Sequence, residues 1–155
     1  MVDRIREKEE IFFVEGKVAI PYNYAVGKAG SKFLIQLRDN KKIMGLRCPT
    51  CNKVYVPPKS TCKDCFNLLD EWVEVSDKGT LQTYAIVRQQ NDAAQPMKAP
   101  FAYGIVQLDG ADTGFIHLLG EVDFKQLEIG MRVQAVFNDE RVASVLDIKY
   151  FKPLA

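Results

Sequence analysis

Four cysteines in two C-x-x-C pairs are the residues of this chain whose spacing most clearly indicates chemistry. The first pair is Cys48 and Cys51, the second is Cys62 and Cys65, and the chain contains 4 cysteines in all. Each pair has the spacing of a metal-binding knuckle, and the roughly ten residues between the pairs suit a short hairpin. We therefore predict that the four thiolates close a tetrahedron around a structural Zn²⁺ ion.

Two disulfides, a redox pair and an iron site are the alternatives that this spacing leaves open. The first ten residues are highly charged and have no apolar signal core, so we expect a cytoplasmic chain. In that compartment paired cysteines more often bind metal. A redox C-x-x-C motif usually occurs singly beside a βαβ pattern, which is not visible here. Four thiolate ligands leave no open position for water, so metal-assisted hydrolysis is not expected.

Composition and charge restrict the class of protein. The 155 residues are enough for a small module plus a compact barrel, and 47% of them are hydrophobic, which allows a core. No run has the length that spans a bilayer, so an integral membrane protein is excluded. The formal net charge is only +1, whereas proteins that grip phosphate backbones usually carry a clear positive excess.

The chain before the cysteines, residues 1–42, predicts an N-terminal arm and a short helix. Ser31 is a suitable N-cap for a helix over residues 32–38, and Gly27 and Gly30 are expected in the loop before it. Asp39-Asn40 should end the helix. Its buried face would consist of Phe33, Leu34 and Leu37.

Residues 43–71 predict a rubredoxin-like zinc ribbon. Ile43–Arg47 reads as the strand that leads into the first cysteine pair, and residues 54–56 as the return strand, which Pro57-Pro58 stops. A ribbon of this size has almost no core of its own. We therefore expect metal binding to supply much of its folding free energy.

Residues 72–155 predict a five-stranded barrel, so the chain as a whole is mainly β. A first short strand is expected over residues 72–75. Five more strand candidates follow, with a short irregular insert between the third and fourth, which is the count of the Greek-key OB-fold. They cover residues 80–88, 101–108, 113–119, 131–138 and 142–150. In the first of these five, strict alternation predicts that one side of the strand carries Leu81, Thr83, Ala85 and Val87.

Three further groups of side chains are candidate sites. The first is His117, the single histidine of the sequence. It has no evident nucleophile or carboxylate partner, so we expect a packed or surface strand histidine and not a general base. The second group is aromatic, and we expect it to form barrel core and not a base-stacking platform: Tyr84, Phe101, Tyr103 and Phe115. The third group is basic, and we expect it to be a solvated face and not a site for phosphates or an acidic partner: Arg38, Lys41, Lys42, Arg47, Lys53, Lys59 and Lys63.

The loop over residues 89–99 is better placed than these groups to contact a partner or ligand, because functional contacts concentrate on loops. The sequence lacks the G-x-S-x-G, phosphate-cradling glycine and H-E-x-x-H motifs. Its carboxylates are scattered, so no catalytic residue is nominated.

Motifs in a fixed order run over most of the chain: LRCPTC (46–51), YVPP (55–58), CKDC (62–65), Trp72, KGTL (78–81), APF (99–101), IVQLDG (105–110), IGMRV (129–133) and YFKP (150–153). This ordered set resembles the zinc-ribbon/OB-fold proteins associated with acyl-CoA metabolism, long called a domain of unknown function. Asn52 stands where that family typically has glycine. Asparagine tolerates the left-handed conformation next best, so the turn should survive.

The resemblance implies a non-catalytic accessory subunit that binds structural zinc and joins a thiolase-fold catalytic subunit in a cytoplasmic hetero-oligomer. Relatives serve acetoacetyl-CoA thiolase and hydroxymethylglutaryl-CoA synthase, phloroglucinol-type acyltransferases and benzoylsuccinyl-CoA thiolase. The subunit would support assembly and help to build or cover the CoA channel, so a CoA thioester would be shared with the partner. A single-stranded nucleic-acid-binding module is the alternative, and a free-standing enzyme a third reading.

Overall fold

The computed structural model describes residues 23–89 and 97–154, and it is mainly β, as predicted. Within those ranges one helix and eight strands follow in order: α1 (Gly27–Asn40), β1 (Ile43–Arg47), β2 (Val54–Tyr55), β3 (Glu71–Val75), β4 (Lys78–Val87), β5 (Phe101–Leu108), β6 (Gly114–Leu119), β7 (Arg132–Phe137) and, after a 3₁₀ turn over Val145–Asp147, β8 (Ile148–Pro153). The predicted N-terminal arm lies almost entirely outside the described residues. Within them, no helix combines the length and apolar character needed to cross a bilayer.

Helix α1 starts earlier than the sequence predicts. Ser31 lies inside it, so the predicted N-cap is wrong, and Val26 occupies the cap position without a side-chain hydrogen bond. The extra first turn packs against the ribbon through Ala29, a tertiary contact that outweighs the poor helix propensity of the glycines. The helix ends at Asn40 as expected, and Phe33 and Leu37 on its predicted inner face are buried.

A three-stranded antiparallel sheet with the order β2-β1-β3 forms the ribbon. β1 has the predicted bounds, and β3 pairs with it along its whole length, from Ile43 opposite Val75 to Arg47 opposite Glu71. The strand predicted to begin at Trp72 therefore extends the ribbon sheet. The division of domains between residues 71 and 72 stays a prediction.

The remaining five strands close a barrel in the order β4-β5-β6-β8-β7, which confirms the predicted OB-fold. The alternation predicted for β4 is wrong beyond Leu81, because the register with β5 shifts between Leu81 and Thr83. The irregularity moves later side chains to the opposite face. Tyr84 and Ile86 consequently pack on the core, whereas Thr83 and Ala85 are exposed.

The strand predicted over residues 142–150 is also displaced, because a turn occupies its first half. Ser144 caps that turn by accepting a hydrogen bond from the Leu146 amide, and Asp147 reaches back to the Ser144 amide. These side-chain hydrogen bonds favour a turn over the backbone pairing of a β-strand. β8 therefore begins at Ile148.

Ribbon and barrel share one hydrophobic core. It contains Phe33 from α1, Ile43 and Val54 from the ribbon, and Leu81 and Phe115 from the barrel. Because this buried cluster is continuous from the ribbon to the barrel, the two pack against each other as one body.

Hydrogen bonds from the loop between β5 and β6 join the barrel to the edge of the ribbon. Asp112 accepts a hydrogen bond from the Val54 amide at 2.8 Å, and its own amide donates to the Val54 carbonyl at 2.9 Å. The Thr113 hydroxyl accepts from the Val56 amide and donates to the Val56 carbonyl, both at 2.8 Å. We call Asp112 and Thr113 the clamp.

Candidate metal centre

Two knuckles with the same backbone geometry carry the four cysteines. In the first knuckle, residues 48–53, the Cys48 amide donates to the Lys53 carbonyl at 2.8 Å, and the Asn52 amide donates to the Cys48 carbonyl at 2.9 Å. In the second knuckle, residues 62–67, the same two bonds recur at 2.9 and 3.1 Å. Asn52 has a φ of 57°, so asparagine does adopt the left-handed turn.

The four sulfur atoms converge across the knuckles. Cys48 Sγ and Cys65 Sγ lie 3.5 Å apart, Cys51 Sγ and Cys62 Sγ lie 3.9 Å apart, and all four atoms fall within 4.8 Å of one another. A tetrahedron with Zn–S bonds of about 2.3 Å has edges of about 3.8 Å, whereas a disulfide needs about 2.05 Å. The four residues are free cysteines, and their spacing fits zinc better than it fits disulfides.

The thiols of the cage differ in their acidity. The hydroxyl of Tyr55 lies 3.2 Å from Cys62 Sγ, and this hydrogen bond is the main reason that the pKa of Cys62 is lowered to about 6. The pKa of Cys51 is raised to about 12, chiefly by its hydrogen bond with Cys65. A divalent cation would remove this difference, because a coordinating thiol is deprotonated outright.

An apolar shell covers the side of the cage formed by Cys48 and Cys62, whereas Cys51 and Cys65 are half-buried. Leu46, Tyr55 and Leu69 are buried against Cys48 and Cys62, with Trp72 packed beside them. Such a shell, together with four sulfur donors and no further ligand position, is typical of a structural zinc site.

Most of the basic residues predicted to surround the ribbon are neutralised by neighbouring carboxylates, which favours the solvated-face interpretation. The ion pairs are exposed and range from 2.7 to 3.0 Å: Arg38 with Asp39, Lys42 with Glu74, Arg47 with Glu71, and Lys53 with Asp64. Exposed pairs of this kind contribute little to stability.

Lys59 lies in a different setting, a cleft of about 760 Å³ between the start of α1 and the ribbon. Lys28 and Lys32 also line this cleft, and Lys32 Nζ lies 4.5 Å from the centroid of the Trp72 ring. These two lysines are not among the basic residues predicted around the ribbon, and Lys28 lies before the predicted start of the helix. The signal in the sequence was the spacing of four residues between them, which places two side chains on the same face of a helix.

The aromatic side chains lie where the core interpretation places them. Phe101 and Phe115 are buried, and Tyr84 is half-buried with its hydroxyl donating to the Leu127 carbonyl at 2.8 Å. Tyr103 is half-buried, and its ring packs against that of Phe101 in a T-shaped arrangement with the ring centroids 5.3 Å apart. No open stacking platform is formed by these four residues. The predicted contact loop lies largely at residues 90–96, outside the described residues.

His117 is a packed strand histidine, as predicted. Its side chain is buried beside the rings of Phe115 and Phe151, at centroid distances of 5.7 and 5.9 Å. Its Nε2 lies 2.5 Å from the carbonyl oxygen of Ile148. Because a carbonyl can only accept, Nε2 carries the proton and the ring bridges β6 to β8.

This histidine should make the barrel sensitive to acid. Burial lowers the pKa of His117, so the unfolded chain takes up a proton at a higher pH than the folded one. The free energy of unfolding should therefore be lost as the pH falls below about 6.5, by at most about 1.4 kcal/mol per pH unit. Urea unfolding of wild type and His117→Gln between pH 7 and 5 tests this. Equal pH dependence in both proteins would contradict it.

Comparison with known proteins supports the architecture. The model for the ChsH2 rubredoxin-like zinc ribbon domain matches residues 37–69, and that for the ChsH2 C-terminal OB-fold domain matches residues 72–138. A structure described as the Ltp2-ChsH2(DUF35) aldolase aligns with a TM-score of 0.63 at 20% identity, covering 84% of this chain and 98% of that one. A protein of unknown function from the DUF35 family of Sulfolobus solfataricus aligns with a TM-score of 0.58 at 23% identity, covering 71% and 78%.

At these identities the two structures support the fold alone. A DUF35 domain-containing scaffold protein from Methanocaldococcus jannaschii is more similar in sequence, with 33% identity over 107 residues, or 66% of this chain and 72% of that protein. This identity, together with both domain models matched in order, shows that the chain belongs to the DUF35 family of zinc-ribbon and OB-fold proteins.

Proposed function

We propose that this chain is a non-catalytic, zinc-binding accessory subunit of a thiolase-type complex that processes acyl-CoA. The observation that carries the proposal is a closed sulfur cage in a ribbon that shares a hydrophobic core with the barrel. Among the described residues, this cage is the one convergent cluster of His, Cys, Asp and Glu ligand atoms. Its four thiolates leave no position for a substrate, so the architecture suits a scaffold better than a catalyst.

The family relatives point the same way. The archaeal relative is named a scaffold protein, and the related ChsH2 chain is described together with Ltp2 as an aldolase. The thiolase-type nature of the partner is our extension, and it rests on the ordered motifs of the sequence.

In this role the metal would act structurally. We assign Cys48, Cys51, Cys62 and Cys65 as its ligands, two from each knuckle. Zinc in such a cage joins the knuckles and supplies no reaction chemistry. The Tyr55 hydroxyl, hydrogen-bonded to Cys62, would hold one ligand in place.

Contact with CoA is part of the proposal, and the lysine-lined cleft supports it. Lys28, Lys32 and Lys59 have no ion pair within the described part of the chain, and Trp72 lines the same cleft with Lys32 Nζ over its ring. Cations beside an aromatic ring suit a ligand that combines phosphates with a planar base. The neutralised residues of the ribbon are less suited to this task.

The test is purification of the affinity-tagged chain from its native host. We expect a thiolase-fold protein to co-purify in a fixed ratio and to lose most of its activity when it is produced without this chain. The chain alone should show no thiolytic activity. Full activity of the thiolase without it would overturn the proposal.

The nucleic-acid alternative is not favoured, because the aromatic side chains needed for stacking lie largely in the core. Titration with single-stranded RNA at low and high salt separates the two functions. Tight binding that weakens steeply with salt would favour the alternative.

A further inference from the structure

Strand β2 of the ribbon contacts the metal centre with a side chain and the barrel with its backbone. The hydroxyl of Tyr55 lies 3.2 Å from Cys62 Sγ, and Tyr55 is paired with Leu46 of β1. The residues on either side of it, Val54 and Val56, are those whose backbone groups the clamp binds. One short segment of chain thus touches a cysteine of the cage and the barrel at the same time.

The hydrogen bonds of the Tyr55 hydroxyl have a defined direction. Its oxygen accepts from the Lys63 amide at 3.4 Å, and a metal-bound thiolate can only accept, so the hydroxyl proton is donated to Cys62. Tyr55 is 0% exposed, so water does not compete for this bond and the bond is stronger than one at the surface. Tyr55 therefore attaches the second knuckle to β2 through both a sulfur and a backbone amide.

The clamp holds the same strand from the other side. It makes four hydrogen bonds of 2.8–2.9 Å with the amides and carbonyls of Val54 and Val56. By contrast, β2 itself is only 2 residues long and pairs with β1 at two positions. The position of β2 therefore depends strongly on the contacts made by Tyr55 and by the clamp.

Zinc and the clamp both require the folded position of β2. The knuckles converge on a metal ion only in the folded ribbon. The clamp finds its backbone partners only when β2 is in place beside the barrel. Two interactions that favour the same conformation strengthen each other, and the effect is equal in both directions.

We propose that Tyr55 couples the metal centre to the clamp, so that zinc binding and the attachment of the ribbon to the barrel stabilise each other. Tyr55 is a positioning residue in this inference, because it acts on the metal through Cys62. The inference rests on the zinc ligands assigned under the proposed function. It does not depend on the catalytic partner.

The test is the zinc affinity of full-length variants, measured by competition with a chromophoric chelator. Tyr55→Phe keeps the ring and removes the hydroxyl, so the affinity should fall about tenfold or more. Thr113→Val keeps the side-chain shape and alters no ligand, yet the affinity should fall about fivefold or more. The combined variant should lose less than the product of the two factors, because Tyr55 positions Cys62 less well once β2 is loosened.

Two matched controls remove a hydroxyl elsewhere in the barrel. Tyr84→Phe deletes the hydroxyl that donates to the Leu127 carbonyl, and Thr80→Val deletes the hydroxyl that accepts from Arg132. Both should bind zinc like the wild type. With cobalt in the cage, Tyr55→Phe should also move the sulfur-to-metal charge-transfer band to longer wavelength, because a sulfur without its donor holds its electrons less tightly. The Tyr84→Phe spectrum should not change.

Hydrogen exchange measures the coupling in the opposite direction in the wild type. The Asp112 amide donates to the Val54 carbonyl of the ribbon at 2.9 Å, whereas the neighbouring Ala111 amide donates to the Leu108 carbonyl within the barrel at 3.0 Å. Removal of zinc by a chelator should abolish the protection of Asp112 and leave that of Ala111. This measurement needs no variant, so it decides the coupling even where a substitution impairs folding.

The outcomes separate the inference from the proposals on which it rests. Unchanged zinc affinity of Thr113→Val, or protection of Asp112 that survives zinc removal, would overturn the coupling and leave the zinc assignment standing. Losses that multiply in the combined variant would show that the coupling bypasses Tyr55, which also overturns the inference. A wild type that binds no zinc would overturn the assignment and the inference together. Co-purification with a thiolase-fold protein tests the accessory role separately.

Discussion

Replacing both Cys48 and Cys62 by serine is expected to abolish zinc binding at neutral pH and to unfold the ribbon. These are the two buried cysteines, one from each knuckle, so each knuckle would lose a ligand. A serine hydroxyl does not ionise near pH 7 and cannot replace a thiolate. Structural zinc contributes about 10–16 kcal/mol of apparent binding free energy in small modules, far more than any other interaction in this ribbon.

The strands of the barrel should stay paired, because they pair with one another and close without the ribbon, but the barrel should lose the stability that it gains from the shared core. Zinc content by mass spectrometry and amide NMR spectra of the ribbon and barrel would separate the two effects. Thr50→Ser is the control, since it retains the hydroxyl that accepts from Asn67. A metal-free wild type with an intact ribbon, or cysteines found oxidised to one another, would contradict the zinc assignment.

Removing the clamp with Asp112→Ala and Thr113→Val is expected to lower the free energy of unfolding by about 2–5 kcal/mol, because buried backbone groups lose their partners. Three side-chain hydrogen bonds would disappear, and the Val54 and Val56 amides would be left unsatisfied beneath buried side chains. The ribbon should then exchange its amide protons independently of the barrel.

Urea denaturation measures the total loss, and hydrogen exchange at Val54 and Val56 locates it. The control pair Asp112→Asn and Thr113→Ser retains an acceptor and a hydroxyl at each position, so most of the stability should remain. Unchanged protection at both amides in the double variant would show that the shared core alone joins the ribbon to the barrel.

Several parts of the fold were predictable because their signals are local. The cysteine spacing, about one turn within each pair and a hairpin between pairs, identifies the cage from the sequence. The bounds of β1 and the end of α1 at Asn40 follow from alternation and stop signals within a few residues. The buried face of α1 follows from the 3.6-residue period.

Other features depend on neighbours that are distant in sequence. The register shift in β4 is defined against β5, and it reverses which side chains beyond Leu81 face the core. The first turn of α1 exists because Ala29 meets the ribbon. Lys42 and Arg47 form ion pairs only because Glu74 and Glu71 of β3 are brought beside β1.

The sequence by itself determined the four-cysteine cluster, the mainly β class and the family, because residue spacing and periodicity can be read along the chain without its fold. The tertiary structure decided how the parts work together: the clamp, the lysine-lined cleft and the contact of Tyr55 with Cys62. Hydrogen bonds such as that between Val54 and Asp112 join residues that are far apart along the chain. Their partners exist only once the ribbon and the barrel have closed against each other.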